Sequence, residues 1–147
     1  MYQIGKPSRF GTRLAYSSGM AHRILIVEDD DAVRFCLGEA LRRHGYEVDL
    51  VAGLEDARKM LSCRSYSLVF TDLRLDHSQQ MGGLEVVDII RETSPVTRTV
   101  VLSGGGYAEA EKYALNHRAD MFLRKPVGMR EIGAVAAQLL GTAALLI

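Results

Sequence analysis

The residues that decide the fold read RILIVEDDD, from Arg23 to Asp31. The first five, Arg23–Val27, form a continuous run of mostly aliphatic and β-branched side chains, which is typical of a strand buried on both faces. Four acidic residues, Glu28–Asp31, follow this run without a break. The stretch therefore predicts a buried strand whose carboxyl end is strongly acidic.

Downstream of this strand, helical and extended patterns alternate. A first helix is indicated by apolar side chains spaced to share one helix face: Val33, Cys36, Leu37, Ala40 and Leu41. Asp30 or Asp31 is expected to cap it, and Gly45 to end it in the left-handed conformation. Further strands are predicted at 46–50, 67–71, 99–102 and 120–123, and further helices at about 54–61, 83–93, 108–116 and 132–140. Five such units predict an α/β fold, a doubly wound five-stranded parallel sheet between two helical layers.

Composition narrows the possible functions. A chain of 147 residues that is 48% hydrophobic favours a single domain with a sizeable core. Its 18 basic and 18 acidic residues balance, so no bulk positive charge is available to bind nucleic acid. Cys36 and Cys63 form no CxxC motif, which fits a reducing compartment, and we expect the cytoplasm. No apolar run approaches the roughly 18 residues that a membrane span needs.

The two ends of the chain differ in character from the part between them. Residues 1–22 contain Lys6, Arg9 and Arg13 but no acid, and they lack periodicity, so we expect a flexible leader. A basic leader of this kind also weakly resembles a transit peptide. We place the folded domain at residues 23–141 and a tail at 142–147. The apolar end of the tail fits either a stand-alone domain or a fragment of a longer protein.

Polar side chains stand at the ends of four of the predicted strands. They are Glu28 and Asp29 after the first strand, Asp72 after the third, Ser103 after the fourth and Lys125 after the fifth. Parallel strands bring these ends to one edge of the sheet. Two unit charges about 4 Å apart repel by on the order of 4 kcal/mol at an effective dielectric near 20, so clustered carboxylates need a cation. Oxygen ligands favour Mg²⁺, or Mn²⁺, and a spare carboxylate beside a lysine suits phosphoryl transfer onto that carboxylate.

Several motifs in order resemble the receiver domain of bacterial two-component response regulators. They are Ile24–Asp30, Thr71–Leu75, Gly82–Glu85, Leu102–Gly104 and Lys125-Pro126, within a match over about residues 23–141. The resemblance implies a flavodoxin-like fold with strand order 2-1-3-4-5. It also implies a signalling switch, not a turnover enzyme, that receives a phosphoryl group from a sensor histidine kinase or a histidine phosphotransfer protein.

The resemblance also implies a role for each site residue. Asp72 corresponds to the phosphorylated residue, and the Mg²⁺ ligands correspond to Glu28, Asp29, Asp72 and the backbone carbonyl of Arg74. Ser103 and Lys125 correspond to the hydroxyl and the amine that contact the phosphoryl group. Phe122 corresponds to the aromatic residue that turns with Ser103 during switching. The Lys125-Pro126 bond is expected to be cis, with Pro126 as the cis-proline.

Switching is expected to remodel the face formed by the fourth helix, fifth strand and fifth helix. Ala110, Tyr113 and Ala114 are candidate contacts there for an unknown downstream protein or a second copy, or else simply core residues. No direct contact with nucleic acid or membrane is expected. The loop Asp76–Gly82 is longer than usual for the family, and Gly104–Gly106 predicts a mobile loop. Arg74 is expected to affect loss of the phosphoryl group.

Three other functions compete with this interpretation. A magnesium-dependent phosphatase of the haloacid dehalogenase type also uses an aspartate at a strand end, but it needs a second Asp where this chain has Arg74. A receiver-like module that binds partners without phosphorylation would keep the fold and lose the chemistry. A nucleotide-binding protein is disfavoured because acids, and no glycine-rich phosphate loop, follow the first strand.

Overall fold

A computed structural model describes residues 21–75, 81–105 and 107–142 of the chain. The strands are β1 Arg23–Val27, β2 Glu47–Val51, β3 Leu68–Asp72, β4 Arg98–Ser103 and β5 Met121–Arg124. The helices are α1 Asp31–Arg43, α2 Leu54–Cys63, α3 Gly82–Thr93, α4 Tyr107–Asn116 and α5 Met129–Leu140. Strand and helix alternate throughout, as the sequence predicts. The expected leader and tail fall mostly outside the described residues, and so do residues 76–80 and Gly106.

The five strands form one parallel sheet in the order β2-β1-β3-β4-β5. This confirms the predicted doubly wound arrangement, in which the strand order reverses between β1 and β3. β2 lies at an edge, which explains its alternating, partly exposed sequence. The carboxyl ends of β1 and β3 are neighbours at the reversal point, where ligands bind in folds of this class.

Alternate residues of β1 face the two helical layers. Ile24 and Ile26 pack into a core with α1 and α5, whereas Leu25 and Val27 pack into a core with α2 and α3. A third cluster lies under α4 and includes Val87 of α3. Burial of both faces makes the central strands a rigid base for the residues at their ends.

The ends of α1 follow the expected capping chemistry. Asp30 accepts a hydrogen bond from the Val33 N–H at 3.0 Å and so caps the helix. Gly45, just past its end, has a φ of +90°, which glycine adopts without steric cost. The other predicted boundaries agree with the structure to within one or two residues, except that α5 begins at Met129, three residues before the predicted start.

Part of the predicted partner surface on helix α4 is wrong. Ala110 and Ala114 are buried, at 2% and 0% exposure, so these two residues belong to the core and are not available as contacts. Tyr113 is exposed and stays a candidate contact.

Among the described residues, no helix is both long enough and apolar enough to span a membrane.

Candidate functional site

The carboxyl end of β1 carries the first two acidic residues of the site. The Glu28 N–H donates to the Val51 carbonyl at 3.0 Å, which continues the pairing of β1 with β2 by one residue. The Glu28 side chain is fully buried, and its Oε2 accepts the Asp30 N–H at 3.0 Å. Carboxylate oxygens of Glu28, Asp29 and Asp72 lie within 4.8 Å of one another. The topology therefore gathers the three predicted metal carboxylates.

Asp72 is the last residue of β3 and is 7% exposed. The Leu73 N–H donates to the Leu102 carbonyl at 2.8 Å, which ties the strand end to β4. On its other side, the backbone of α3 comes very close at Gly83. A Cβ atom at Gly83 would stand 2.0 Å from the Asp72 carbonyl oxygen, so only glycine fits there without a backbone shift.

Lys125 brings a positive charge to the carboxylates from the end of β5. Its Nζ lies 2.6 Å from Glu28 Oε1 and 3.4 Å from Asp72 Oδ2. Its backbone N–H donates to the Ser103 carbonyl at 2.9 Å, so the ends of β4 and β5 are fixed to each other. The Lys125-Pro126 peptide bond is cis.

The electrostatics of the site follow from burial and crowding. Burial and, next, the charge of Glu28 raise the pKa of Asp72 from 3.8 to about 7, although the charge of Lys125 opposes them. Burial alone would lower the pKa of Lys125, but hydrogen bonding and charge from Glu28, together with Asp72, raise it. The site therefore holds more negative charge than one lysine balances.

Ser103 and Phe122 stand near this cluster without joining it. Ser103 is 2% exposed, and its hydroxyl donates to the Gly105 carbonyl at 2.9 Å, within its own loop. Phe122 is partly buried and packs against the cluster under α4. Arg74 follows Asp72 by two residues and is half-buried, and its Nε has no hydrogen-bond partner in the described part of the chain.

The donor set fits a hard divalent cation. Carboxylate oxygens are the ligands that Mg²⁺ prefers, and such an ion would offset the charge that raises the pKa of Asp72. Neither Cys36 nor Cys63 belongs to this cluster, so its ligand atoms are carboxylate oxygens.

Sequence reasoning missed two residues that hold the site in place. Gly83 was expected only as part of a motif, although a pair of glycines at the start of a helix is itself a sign of close backbone approach. Arg34 was not singled out, yet it donates to the Glu28 carbonyl at 2.7 Å. Its position three residues after Asp31 on one helix was the available signal.

Comparison with known proteins identifies the family. The sequence model of the response regulator receiver domain matches residues 24–137. The chain belongs to the response regulator receiver family. The strand order and the acidic edge of the sheet are thus those of a receiver domain of two-component signalling.

Known receiver-containing regulators are similar over most of this chain. The nitrogen assimilation regulatory protein NtrX of Azorhizobium caulinodans is 30% identical over 84% of the chain and 27% of its own length. The photosynthetic apparatus regulatory protein RegA of Rhodobacter capsulatus is 30% identical over 78% of the chain and 60% of its own length. This receiver chain therefore spans less than two thirds of these relatives.

Solved receiver domains have the same fold. A CheY-like receiver domain protein from Methanospirillum hungatei superposes with a TM-score of 0.76 at 25% identity, covering 83% of this chain and 95% of that one. The receiver domain of NtrX from Brucella abortus gives 0.73 at 29% identity, covering 82% and 99%. The similarity to both structures extends over nearly the whole of each isolated domain.

Proposed function

We propose that this receiver domain accepts a phosphoryl group on Asp72 from a phosphohistidine of a sensor kinase or a histidine phosphotransfer protein. The convergence of three carboxylates and Lys125 at the reversal point of the sheet is the observation that carries the proposal. Mg²⁺, or Mn²⁺ in its place, would be held by Glu28, Asp29, Asp72 and the backbone carbonyl of Arg74. The two exposed, unpaired cysteines suit the cytoplasm, where we place the protein.

The transfer itself is a displacement at phosphorus. An oxygen of the ionised Asp72 side chain forms a bond to phosphorus while the bond from phosphorus to the donor imidazole nitrogen breaks. The electron pair of that bond stays on the imidazole nitrogen, and the product on this chain is an acyl phosphate. Lys125 neutralises charge on the phosphoryl oxygens. When bound, the divalent cation supplies further charge neutralisation.

Phosphorylation would change the resting contacts of Ser103. The phosphoryl group adds a charge of about −1.5 to −2 at pH 7 and presents acceptor oxygens to nearby donors. The Ser103 hydroxyl then leaves the Gly105 carbonyl, and the Phe122 ring moves into the space that Ser103 vacates. The face of α4, β5 and α5 changes as a result, with exposed Tyr113 and Met129 as contacts for a downstream protein or a second copy.

In this role the receiver is a switch that assists its own phosphorylation, and it is not a turnover enzyme. Arg74, whose Nε has no partner among the described residues, would contact the phosphoryl group or hinder attacking water. Arg74→Ala is expected to change the lifetime of the phosphorylated form, and an unchanged lifetime would contradict this role.

The direct test is labelling by a small phosphodonor. Incubation with acetyl phosphate and Mg²⁺ should add one phosphoryl group to the wild type, as seen by intact mass spectrometry, and none to Asp72→Asn. Asp56→Asn, at an exposed position on α2, is the control and should be labelled normally. Absence of labelling in the wild type would favour a receiver-like module that does not use phosphorylation. Continuous phosphate release from an ester would instead indicate a phosphatase.

A further inference from the structure

Arg34 is a side chain of α1 that reaches back to the acidic loop before the helix. Its Nη1 donates to the Glu28 backbone carbonyl at 2.7 Å. Its Nη2 lies 2.5 Å from Asp31 Oδ1. The Arg34 side chain is 20% exposed, whereas the Asp31 side chain is 91% exposed, so the contact to Glu28 is the more shielded of the two. The Arg34 guanidinium thus contacts the loop at Glu28 and at Asp31, which lie on either side of Asp29 in the sequence.

The contact to Glu28 acts on the peptide unit that joins two proposed metal ligands. The Glu28 carbonyl belongs to the peptide plane between Glu28 and Asp29, and its orientation sets the direction in which both side chains leave the backbone. The Glu28 side chain is also fixed through the Asp30 N–H, and the Asp30 side chain caps α1. Arg34 adds the connection between this loop and the first turn of the helix.

We propose that Arg34 is a positioning residue for the metal carboxylates, a role that rests on the proposed Mg²⁺ site. Arg34 has two opposite effects on cation binding. Its positive charge near Glu28 repels a cation, while its hydrogen bonds hold the ligands in the arrangement that the cation needs. We expect the positioning of the ligands to outweigh the repulsion, because a planar guanidinium holds two acceptors at once in fixed directions. Removing Arg34 therefore weakens cation binding, although it removes a positive charge.

The same helix provides a matched control at its other end. Arg42 donates to the Val48 backbone carbonyl at 2.9 Å and to Glu39 Oε2 at 3.2 Å. Like Arg34, it bonds one backbone carbonyl and one acid three residues earlier on the chain. It holds α1 to the strand β2 and not to the acidic loop. Arg42→Ala therefore removes the same kinds of bond without touching the site.

The experiment measures binding of Mn²⁺ alone, from the loss of the free-ion signal in electron paramagnetic resonance, and of Mg²⁺ by calorimetry. Arg34→Ala should raise the Kd about tenfold, as is usual for groups that orient metal ligands. Arg34→Lys keeps the positive charge but lacks the planar guanidinium with its two donors, and it should raise the Kd by roughly threefold or more. Arg42→Ala should leave the Kd at the wild-type value. Thermal unfolding without metal shows whether each variant is folded.

The outcomes separate this inference from the function on which it rests. A wild type that binds neither cation contradicts the proposed metal site itself. A wild type that binds, with Arg34→Ala binding equally well or more tightly, overturns only the role of Arg34. A rise in Kd that Arg42→Ala shares would also overturn that role, since it would reflect general loss of stability. If Arg34→Ala does not fold, Arg34→Lys decides, and a wild-type Kd for that variant contradicts the proposal.

Discussion

Asp72 combines two requirements that oppose each other. In the proposed transfer, the side chain must be ionised to attack phosphorus, and it must be shielded so that the acyl phosphate forms in a defined environment. Burial and the charge of Glu28 raise its pKa to about 7. Ionised Asp72 in the metal-free protein is therefore destabilised, and a cation or a proton relieves the repulsion.

We expect the free energy of unfolding to depend on pH through Asp72. Its pKa is raised from 3.8 to about 7 in the folded protein, so the folded state keeps a proton that the unfolded state loses in this range. The stabilisation is fully present below pH 4 and is lost as the pH rises to 7. Asp72→Asn should make the free energy of unfolding depend less on pH. At pH 8 this variant should be more stable than the wild type by up to a few kcal/mol, at about 1.4 kcal/mol per pKa unit. Urea unfolding in EDTA measures the effect.

The control for this prediction is Glu55→Gln, at a side chain that is 80% exposed. Its stability curve should run parallel to that of the wild type. If Asp72→Asn and the wild type also gave parallel curves between pH 4 and 8, the raised pKa would be wrong.

Gly83 lets α3 lie directly against the backbone of Asp72 because it has no side chain. Gly83→Ala would place a Cβ 2.0 Å from the Asp72 carbonyl oxygen, so α3 must shift away. We expect a loss of about 1–3 kcal/mol in the free energy of unfolding, as for other overpacked sites. Gly82→Ala is the matched control, since the nearest atoms that its Cβ would meet are those of Leu75, at 3.6 Å, an ordinary contact. Equal stability of the two variants in urea unfolding would refute the steric argument.

Secondary structure elements were predictable from the sequence because their signals are local. The apolar stripe and the Asp30 cap of α1 both involve residues within one or two turns. The boundaries of the strands were less predictable, because hydrogen bonds to a strand that is distant in the sequence define them. Tyr46 is apolar and buried, yet β2 begins at Glu47, which pairs with Arg23. Asp72 extends β3 by one residue because it pairs with Leu102.

Helix α4 is tied to α3 by a hydrogen bond between side chains that we expect to limit its motion. His117, just after α4, has its Nδ1 2.8 Å from Asp88 Oδ1 of α3. Asp88→Ala should increase amide hydrogen exchange in α4 by up to about tenfold, because a hydrogen bond of this kind contributes roughly 0.5–1.5 kcal/mol. Arg58→Ala breaks the ion pair between α2 and Glu85 of α3 and serves as the control. An equal effect of both variants on α4 would argue against this role.

At the scale of the whole molecule, the site lies at one edge of the sheet, and the contacts of His22 and Thr142 with Tyr46 lie at the opposite edge. The acidic cluster lies at the carboxyl edge, while Tyr46, at the amino edge, donates to or accepts from the Thr142 hydroxyl at 2.6 Å and lies beside the His22 ring. The parallel topology made the shared edge of Glu28, Asp72 and Lys125 predictable from the sequence. It did not predict that Lys125 lies closer to Glu28 than to Asp72, because side-chain packing decides that contact.

The charge at this edge should make the stability of the entire domain depend on metal. Binding to the folded state alone stabilises it, by about 2.7 kcal/mol at a concentration of 100 times Kd, so Mg²⁺ should raise the Tm and EDTA should reverse the rise. Asp29→Asn removes one of the clustered carboxylates. It should raise the Tm of the metal-free protein, since repulsion falls, and abolish the response to Mg²⁺. Asp56→Asn should keep the wild-type response, and an Asp29→Asn variant that also kept it would show that the cation binds elsewhere.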